Sequence, residues 1–253
     1  MAKVISIFNQ AGGVSKSTVT HNLGYHLAIR KHDVLVVDMD PQASLTTFMG
    51  LEPPDLKRTM YDALSKEEPL PIEKDLDGLD LAPSNILLAD CEQELVLALK
   101  REERLKEALA PVTEEYDFIL IDCPPSLGLL SLISLVASNH VLVPIETQYK
   151  AFKGTDSLLK TISKVQLRLN KSLRIAGFLP TKYASRNSLD RQVLEAMQKQ
   201  LSPLAPVFSP LPTATSLALA SKKGVPLALC SSSSRNQPIL TLFDDLAEAM
   251  EEV

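Results

Sequence analysis

The hydrophobic positions of the chain fall into short runs that predict buried β-strands. The runs are KVISIF (3–8), DVLVVD (33–38), LDLAPS (79–84), DFILID (117–122), HVLVPI (140–145), LRIAGFLP (173–180) and APVFSPLP (205–212). Most of them are nearly continuous in Val, Ile and Leu instead of alternating with polar residues. This pattern is typical of parallel strands that are covered on both faces.

The segments between these runs have helical character. We predict helices over 17–30, through the charged segment 89–112, and over 152–169, 189–201, 216–223 and 238–252. Residues 51–78 form a polar, Pro-rich excursion, and SSSSRNQP (231–238) is expected to be a surface loop. Strands that alternate with helices predict an α/β fold, with a doubly wound, mostly parallel sheet and helices on both faces. A single domain over residues 1–253 fits this pattern best.

Composition narrows the classes of protein that need to be considered. The 253 residues carry a formal net charge of −5, 45% are hydrophobic, and there is no Trp. The scarcity of aromatic residues disfavours an RNA-binding surface built on stacked rings. The three cysteines are scattered without metal-ligand spacing, which suggests a reducing cytoplasm. The N-terminus runs directly into a strand pattern, and no run approaches the roughly 20 apolar residues of a membrane span.

A glycine-containing loop follows the first predicted strand in the stretch FNQAGGVSKST (8–18). Gly12 and Gly13 allow the backbone to curl with its N–H groups facing inward, and the following helix adds the positive end of its dipole. Lys16 would then lie beside the β- and γ-phosphates of a nucleotide, and the Ser17 hydroxyl would be offered to Mg²⁺. The alternative interpretation is an ordinary strand–helix turn with an incidental Lys-Ser pair.

Carboxylates follow two further strands. Asp38 and Asp40 in VVDMDPQ are two residues apart, so an extended chain points both to the same side. Asp122 ends the strand DFILID, a placement expected for an acid that supports Mg²⁺ in a phosphate-binding fold. Because ligands bind at the carboxyl ends of parallel strands, the loop and the three acids should lie at one edge of the sheet.

Taken together, AGGVSKS, DMDPQ and DCPPSLG resemble the ParA/MinD family of deviant Walker-box ATPases, and the resemblance covers nearly the whole chain. The later segments PIETQYKAFKG and PLPTATSLALASKKGVPL resemble two further segments of that family. The resemblance implies that ATP and Mg²⁺ bind, that Asp40 orients the attacking water, and that Asp38 and Asp122 support the metal with Ser17. It also implies these ATP contacts: Gly12, Gly13, Val14, Ser15, Lys16, Ser17, Thr18, Lys182, Pro212, Thr213 and Thr215.

Two positions depart from the family pattern. Ala11 stands where the family has a signature Lys that reaches the phosphates of a partner subunit, and Ser15 replaces a Gly. Lys150, a few residues after HVLVPI, is our candidate for a replacement cation in catalysis, and Lys153 is the alternative. A homologue that binds nucleotide without hydrolysing it is the other interpretation of these departures. The absence of the signature Lys, together with the chain length, most resembles the McdA-type branch that positions carboxysomes.

A basic segment over 150–191 has ten Lys and Arg against two Asp, although the chain as a whole is acidic. It is either a solvated helix face or a DNA-binding surface. The family resemblance implies non-specific binding of double-stranded DNA by an ATP-bound homodimer with two ATP at its interface, and therefore association with the nucleoid. Arg186 in SRNSLDRQ is the first candidate for a DNA contact. The further candidates are Lys182, Arg191, Lys222 and Lys223.

The remaining partners follow from the same resemblance. An adaptor protein, McdB-like or ParB-like, would stimulate hydrolysis and connect the ATPase to its cargo. The acidic C-terminal segment PILTLFDDLAEAMEEV would be repelled by anionic lipid, so no membrane partner is expected. The alternatives to carboxysome positioning are plasmid or chromosome partition, a non-hydrolysing nucleotide-dependent scaffold, and a dethiobiotin-synthetase-like metabolic enzyme.

Overall fold

A computed structural model of the chain describes residues 2–230 and 233–253. Its strands form one seven-stranded sheet in the order β3-β4-β2-β5-β1-β6-β7, and every neighbouring pair is parallel except β3 with β4. The predicted doubly wound, mostly parallel sheet is therefore confirmed. The strands are β1 (Lys3–Ile7), β2 (Val34–Asp38), β3 (Glu73–Leu76), β4 (Leu79–Ala82), β5 (Phe118–Asp122), β6 (His140–Glu146) and β7 (Arg174–Thr181).

Helices connect these strands and cover both faces of the sheet. They are α1 (Lys16–Ile29), α2 (Ser44–Phe48), α3 (Met60–Ser65), α4 (Leu88–Glu94), α5 (Arg104–Leu109), α6 (Leu129–Ala137), α7 (Tyr149–Lys153), α8 (Thr155–Arg168), α9 (Ser188–Leu201), α10 (Thr215–Lys223), α11 (Leu227–Cys230) and α12 (Gln237–Glu251). Short 3₁₀ turns occur at Pro53–Asp55, Leu95–Leu97, Arg101–Glu103 and Ser234–Asn236. Over the described residues, no helix combines the length and apolar character needed to cross a membrane.

The core consists of two apolar layers separated by the sheet. Alternate residues of a strand point to opposite faces, so β1 sends Val4 into one layer and Ile5 and Ile7 into the other. Helices α3–α6, α8 and α9 complete the first layer, and α1, α2 and α10–α12 complete the second. Because both faces are covered, the central strands β1, β2, β5 and β6 are buried along nearly their whole length, which explains their continuous hydrophobic runs.

Three sequence-based predictions about individual elements need correction. The charged segment 89–112 is not one helix but α4, two 3₁₀ turns and α5, and Lys100 has φ +54°, which a helix does not allow. The predicted last strand over 205–212 makes only two isolated bridges, at Val207 and Pro212, because its three prolines lack the N–H that a ladder needs. The predicted helix over 152–169 is divided at Gly154 into α7 and α8.

The excursion over 51–78 is more ordered than its composition indicates. It contains α3, which begins with a capping box between Thr59 and Asp62, and the exposed antiparallel edge strand β3. Ser231 and Ser232 of the predicted surface loop lie outside the described residues. The rest of that loop forms the 3₁₀ turn Ser234–Asn236 and the start of α12.

The strand order determines where a ligand can bind. From β1 the chain proceeds to β2 on one side of the sheet and later to β6 and β7 on the other. The carboxyl end of β1 is therefore a topological switch point, where the connecting segments diverge and leave a crevice. The glycine-containing loop lies at this point.

Candidate functional site

The loop between β1 and α1 is fixed at both ends by side-chain hydrogen bonds. Asn9 donates from Nδ2 to the Pro144 carbonyl at 2.6 Å and accepts from the Ala11 N–H at 2.9 Å. The Thr181 hydroxyl donates to the Val14 carbonyl at 3.2 Å, which attaches the loop to the end of β7. Gly13 has φ +71°, a left-handed conformation that glycine adopts without strain. The loop is therefore held in a curled shape before any ligand binds.

Ser15 has the same left-handed conformation, with φ 71° and ψ 24°, and α1 begins at the next residue. Its side chain makes no capping hydrogen bond to the first turn of α1. A side chain at this position carries the strain that a Cβ causes in the left-handed region, about 1–2 kcal/mol. The sequence alone gave no account of Ser15, but the backbone shows why glycine is the favoured residue at this point of the loop.

Lys16 is buried, and its ammonium group donates to the Ala11 carbonyl at 2.9 Å. Burial lowers the pKa of Lys16, while the nearby carboxylates of Asp122 and Asp40 act to raise it. The lysine therefore lies inside the loop, where a bound anion would stabilise its charged form against the loss of hydration. This arrangement is the one expected of a phosphate-binding lysine.

Asp38 and Asp122 lie opposite each other on the paired strands β2 and β5. Oδ2 of Asp38 accepts hydrogen bonds from the backbone N–H and the hydroxyl of Thr46, at 2.9 and 2.8 Å. Its Oδ1 accepts from the Asp40 N–H at 3.0 Å. Complete burial nevertheless raises the pKa of Asp38 to about 6, because these three hydrogen bonds only partly offset the loss of hydration.

Asp40 is also buried, and burial raises its pKa, while the Gln42 N–H bond to its Oδ1 and the Lys16 charge act in the opposite direction. Its backbone carbonyl accepts a hydrogen bond from the Ser84 hydroxyl at 2.8 Å, at the end of β4. Within the described residues, Oδ1 of Asp40 accepts only the hydrogen bond from Gln42 and Oδ2 accepts none. Oδ2 therefore remains available to a water or a ligand.

Both carboxylate oxygens of Asp122 are buried, and neither has a well-aligned hydrogen bond from any described residue. Burial and then the charge of Asp38 raise the pKa of Asp122 well above its usual value, and the Ser17 hydroxyl lies near enough to lower it. An unpaired buried carboxylate is costly, and a divalent cation would remove that cost. The residues fit Mg²⁺, which takes one or two protein ligands and keeps several waters. The described residues contain no group of three or more His, Cys, Asp or Glu side chains that could hold a metal ion.

A cavity of about 610 Å³ adjoins the loop. Five residues predicted to contact ATP line it, namely Ser15, Thr18, Lys182, Pro212 and Thr213. The sequence-based interpretation missed Thr47 and Phe48 from α2 and Ser221 from α10, which also line it. No local motif marks these three residues, because they reach the cavity only through the packing of α2 against α10. Thr215 is the first residue of α10 and is not among the lining residues.

Lys150 and Lys153 are both in the short helix α7, which follows β6. Lys150 is exposed, and Lys153 places its ammonium 5.7 Å from the centre of the Tyr149 ring. Gly154, which ends α7, has the Gln10 side chain as a neighbour, so α7 lies beside the loop. The role of Lys150 as a replacement cation remains a prediction.

The residues predicted to bind DNA lie in two places. Arg186 is exposed on the turn before α9, and Arg191 donates to the Ser185 carbonyl at 2.8 Å. Asp190 secures this turn by accepting from the Ala184 N–H at 2.9 Å. Lys222 and Lys223 are in the last turn of α10, where Lys222 lines the cavity beside the loop. Lys182 also lines this cavity.

Comparison with known proteins gives a consistent result. The family model described as AAA domain matches residues 2–175. The sporulation initiation inhibitor protein Soj of Bacillus subtilis is 44% identical over 202 residues, which is 79% of this chain and 80% of that protein. The chromosome partitioning protein ParA of Myxococcus xanthus is 40% identical over 203 residues, 78% of this chain and 71% of that protein.

Solved structures agree with these relatives. Cobyrinic acid a,c-diamide synthase from Mycobacterium smegmatis, with bound ADP and magnesium, is 36% identical with a TM-score of 0.80 and covers 88% of this chain and 92% of its own. The ATP complex of a substituted Cyanothece McdA has a TM-score of 0.86 and covers 99% of this chain and 96% of its own. It is 22% identical, so it shows a shared fold alone.

Proposed function

Because this chain belongs to the AAA domain family of ParA/MinD-type P-loop ATPases, we propose that it is an ATP-dependent switch that hydrolyses ATP slowly and binds DNA non-specifically as a dimer. One observation carries the proposal. Lys16, Asp38, Asp40 and Asp122, which come from three separate segments of the sequence, are buried around one loop at the switch point of the sheet.

The residues of the site divide the chemistry among them. The loop N–H groups and Lys16 would hold the phosphates, and Ser17 with Asp122 would hold Mg²⁺, while Asp38 supports the metal through its waters. Mg²⁺ neutralises phosphate charge and so favours attack at the terminal phosphorus. The free oxygen of Asp40 would orient the attacking water. The cavity lined by Pro212 and Thr213 would receive the base.

Dimerisation would connect nucleotide state to DNA binding. Two subunits would close over two ATP molecules, and each would present the same basic residues, with Arg186 as the first contact. A dimer doubles the number of phosphate contacts, so its avidity for DNA exceeds that of a monomer. Lys150 remains the candidate cation that would replace the missing lysine at position 11.

An adaptor, ParB-like or McdB-like, would stimulate hydrolysis and determine the cargo. The sequence relatives with high identity are named as partition and sporulation proteins, which supports partition of a chromosome or plasmid. Ala11 supports the carboxysome-positioning alternative, because the McdA-type branch also lacks the signature lysine. The relative named cobyrinic acid a,c-diamide synthase supports a metabolic P-loop enzyme as a second candidate.

One experiment separates these functions. ATP hydrolysis by the wild-type chain is measured with and without DNA, and retention on DNA is measured in ATP and in ADP. The switch predicts retention in ATP that is lost in ADP, with Lys16→Ala losing both hydrolysis and retention. Arg186→Ala should lose retention but keep basal hydrolysis, and the exposed Lys31→Ala should keep both. Retention that does not depend on the nucleotide would contradict the switch, and no retention under any condition would favour a metabolic enzyme.

A second measurement tests the replacement cation. Lys150→Ala should reduce basal hydrolysis, and Lys160→Ala, at an exposed lysine of α8, serves as the matched control. Loss of hydrolysis in Lys153→Ala would instead assign the role to Lys153, the alternative candidate. Hydrolysis that is unchanged in Lys150→Ala would remove Lys150 from the mechanism.

A further inference from the structure

The side chain of Lys182 lies against the phosphate loop. A methyl group built on the Cα of Gly13 would be 3.7 Å from Lys182 Nζ. The same lysine lines the cavity beside the loop together with Ser15 and Thr18. Its ammonium group is therefore at the junction between the loop, which would bind the phosphates of a nucleotide, and the cavity, which would receive its base.

The backbone fixes this position from two sides. Lys182 has φ +54°, an uncommon conformation for a residue with a side chain, which it shares with Ser15 of the loop. The preceding residue, Thr181, is hydrogen-bonded to the Val14 carbonyl of the loop. The following residue, Tyr183, donates its N–H to the Leu211 carbonyl at 3.0 Å. The turn at Lys182 is thus attached directly to the loop.

A carboxylate holds the lysine in this structure. Lys182 Nζ is 3.5 Å from Glu146 Oε1, and Oε1 also accepts from Gln148 Nε2 at 2.9 Å. The Lys182 side chain is 40% exposed and that of Glu146 is 19% exposed. A partly exposed ion pair of this length is a weak interaction. A polyphosphate, with more charge and more acceptor oxygens than a carboxylate, would displace Glu146.

We infer that Lys182 is a second phosphate-binding cation, supplied by the same chain that binds the nucleotide, and that Glu146 holds it until a polyphosphate takes its place. This inference rests on the proposed ATP site. It gives the loop a positive charge within the subunit that does not depend on a lysine at position 11. Glu146 then competes with the nucleotide, so the pair acts as a threshold for triphosphate binding.

The test is the affinity of the full chain, with Mg²⁺, for AMP, ADP and a non-hydrolysable ATP analogue. Lys182→Met should weaken the triphosphate about tenfold, the diphosphate by less, and AMP by under about twofold, because the lost contact is to the terminal phosphates. Glu146→Gln should tighten the triphosphate about two- to threefold by removing the competing charge. The double variant should show no gain from Glu146→Gln.

A contrast variant separates phosphate contact from base contact. Lys222→Met removes another lysine of the same cavity and should change the affinity for all three nucleotides by one common factor. If Lys182→Met also weakened all three equally, or weakened none, the phosphate role of Lys182 would be wrong. If Glu146→Gln weakened the triphosphate, the competition by Glu146 would be refuted.

The outcomes also distinguish this inference from the proposed function. Wild-type protein that binds none of the three nucleotides would overturn both. If the wild type binds nucleotide, Lys16→Ala abolishes this binding and Lys182→Met leaves it unchanged, the ATP site stands and only the role of Lys182 is overturned. Both altered side chains are partly exposed. The opposite signs expected for Lys182→Met and Glu146→Gln cannot arise from a shared folding defect.

Discussion

Replacing Ser15 by glycine should stabilise the protein without nucleotide. Ser15 has φ 71° and makes no capping hydrogen bond, so its side chain contributes strain and no compensating local bond. The strain of a Cβ in the left-handed region is about 1–2 kcal/mol. Glycine also makes the unfolded chain more flexible, which offsets about 0.4–1 kcal/mol of that gain. The expected net stabilisation is about 0.5–1 kcal/mol.

The measurement is urea or thermal unfolding of the protein without nucleotide. For a chain of 253 residues the expected gain corresponds to a rise in Tm of about 2 °C. Ser15→Ala is the first control, because it removes the hydroxyl and keeps the Cβ, so its stability should stay close to that of the wild type. Lys31→Gly is the second control. Lys31 has φ 76°, is exposed, and follows the other end of α1, away from the loop.

Lys31→Gly and Ser15→Gly should both stabilise, and by similar amounts, since the same backbone strain is removed at each. If Lys31→Gly stabilised while Ser15→Gly destabilised, Ser15 would be making a favourable interaction that its geometry does not show, and the strain argument would be refuted at the loop.

Three further predictions concern the neighbourhood of the site. Thr46→Val should lower the free energy of unfolding by about 2 kcal/mol in urea, because it removes the hydroxyl that donates to Asp38 and leaves the buried Ser84 N–H without its acceptor. Thr46→Ser keeps the hydroxyl and should retain most of the wild-type stability. The free energy of unfolding of the wild type, measured relative to Asp38→Asn without metal, should fall from pH 4 to about pH 6 and then level off, because the folded protein keeps the Asp38 proton that the unfolded chain loses. A difference that stays constant would show that the pKa of Asp38 is not raised. Gly224→Ala should lower the free energy of unfolding by about 1–2 kcal/mol more than Gly78→Ala. Both glycines have positive φ, but a Cβ on Gly224 would be 2.7 Å from Gly50 Cα, whereas a Cβ on Gly78 would have no described neighbour within 4 Å, so equal losses would refute the clash.

The elements that the sequence predicted correctly are those with a strong local signal. The six nearly continuous hydrophobic runs before residue 181 became β1, β2, β4, β5, β6 and β7, because burial on both faces selects apolar residues at most positions. The seventh run failed because its prolines prevent pairing. The helix over 89–112 is interrupted in its middle, where Leu97 and Leu99 are about nine-tenths exposed and Lys100 has a positive φ, so this part of the segment buries no apolar face that would hold a helix.

For the site, the sequence by itself determined which chemical groups are present and the order in which they follow the strands. It predicted the loop with Lys16 and the three aspartates, because the loop follows β1, the aspartates lie at or just after the ends of β2 and β5, and the carboxyl ends of parallel strands meet at one edge. Only the tertiary structure decided what surrounds them. No residue pattern reports the left-handed torsion angles of Ser15. The hydrogen bonds from Thr46 to Asp38 and the approach of Lys182 to Gly13 depend on how the fold brings separate segments together. Chemistry is local to a side chain, whereas its pKa, its strain and its partners depend on what the fold packs against it.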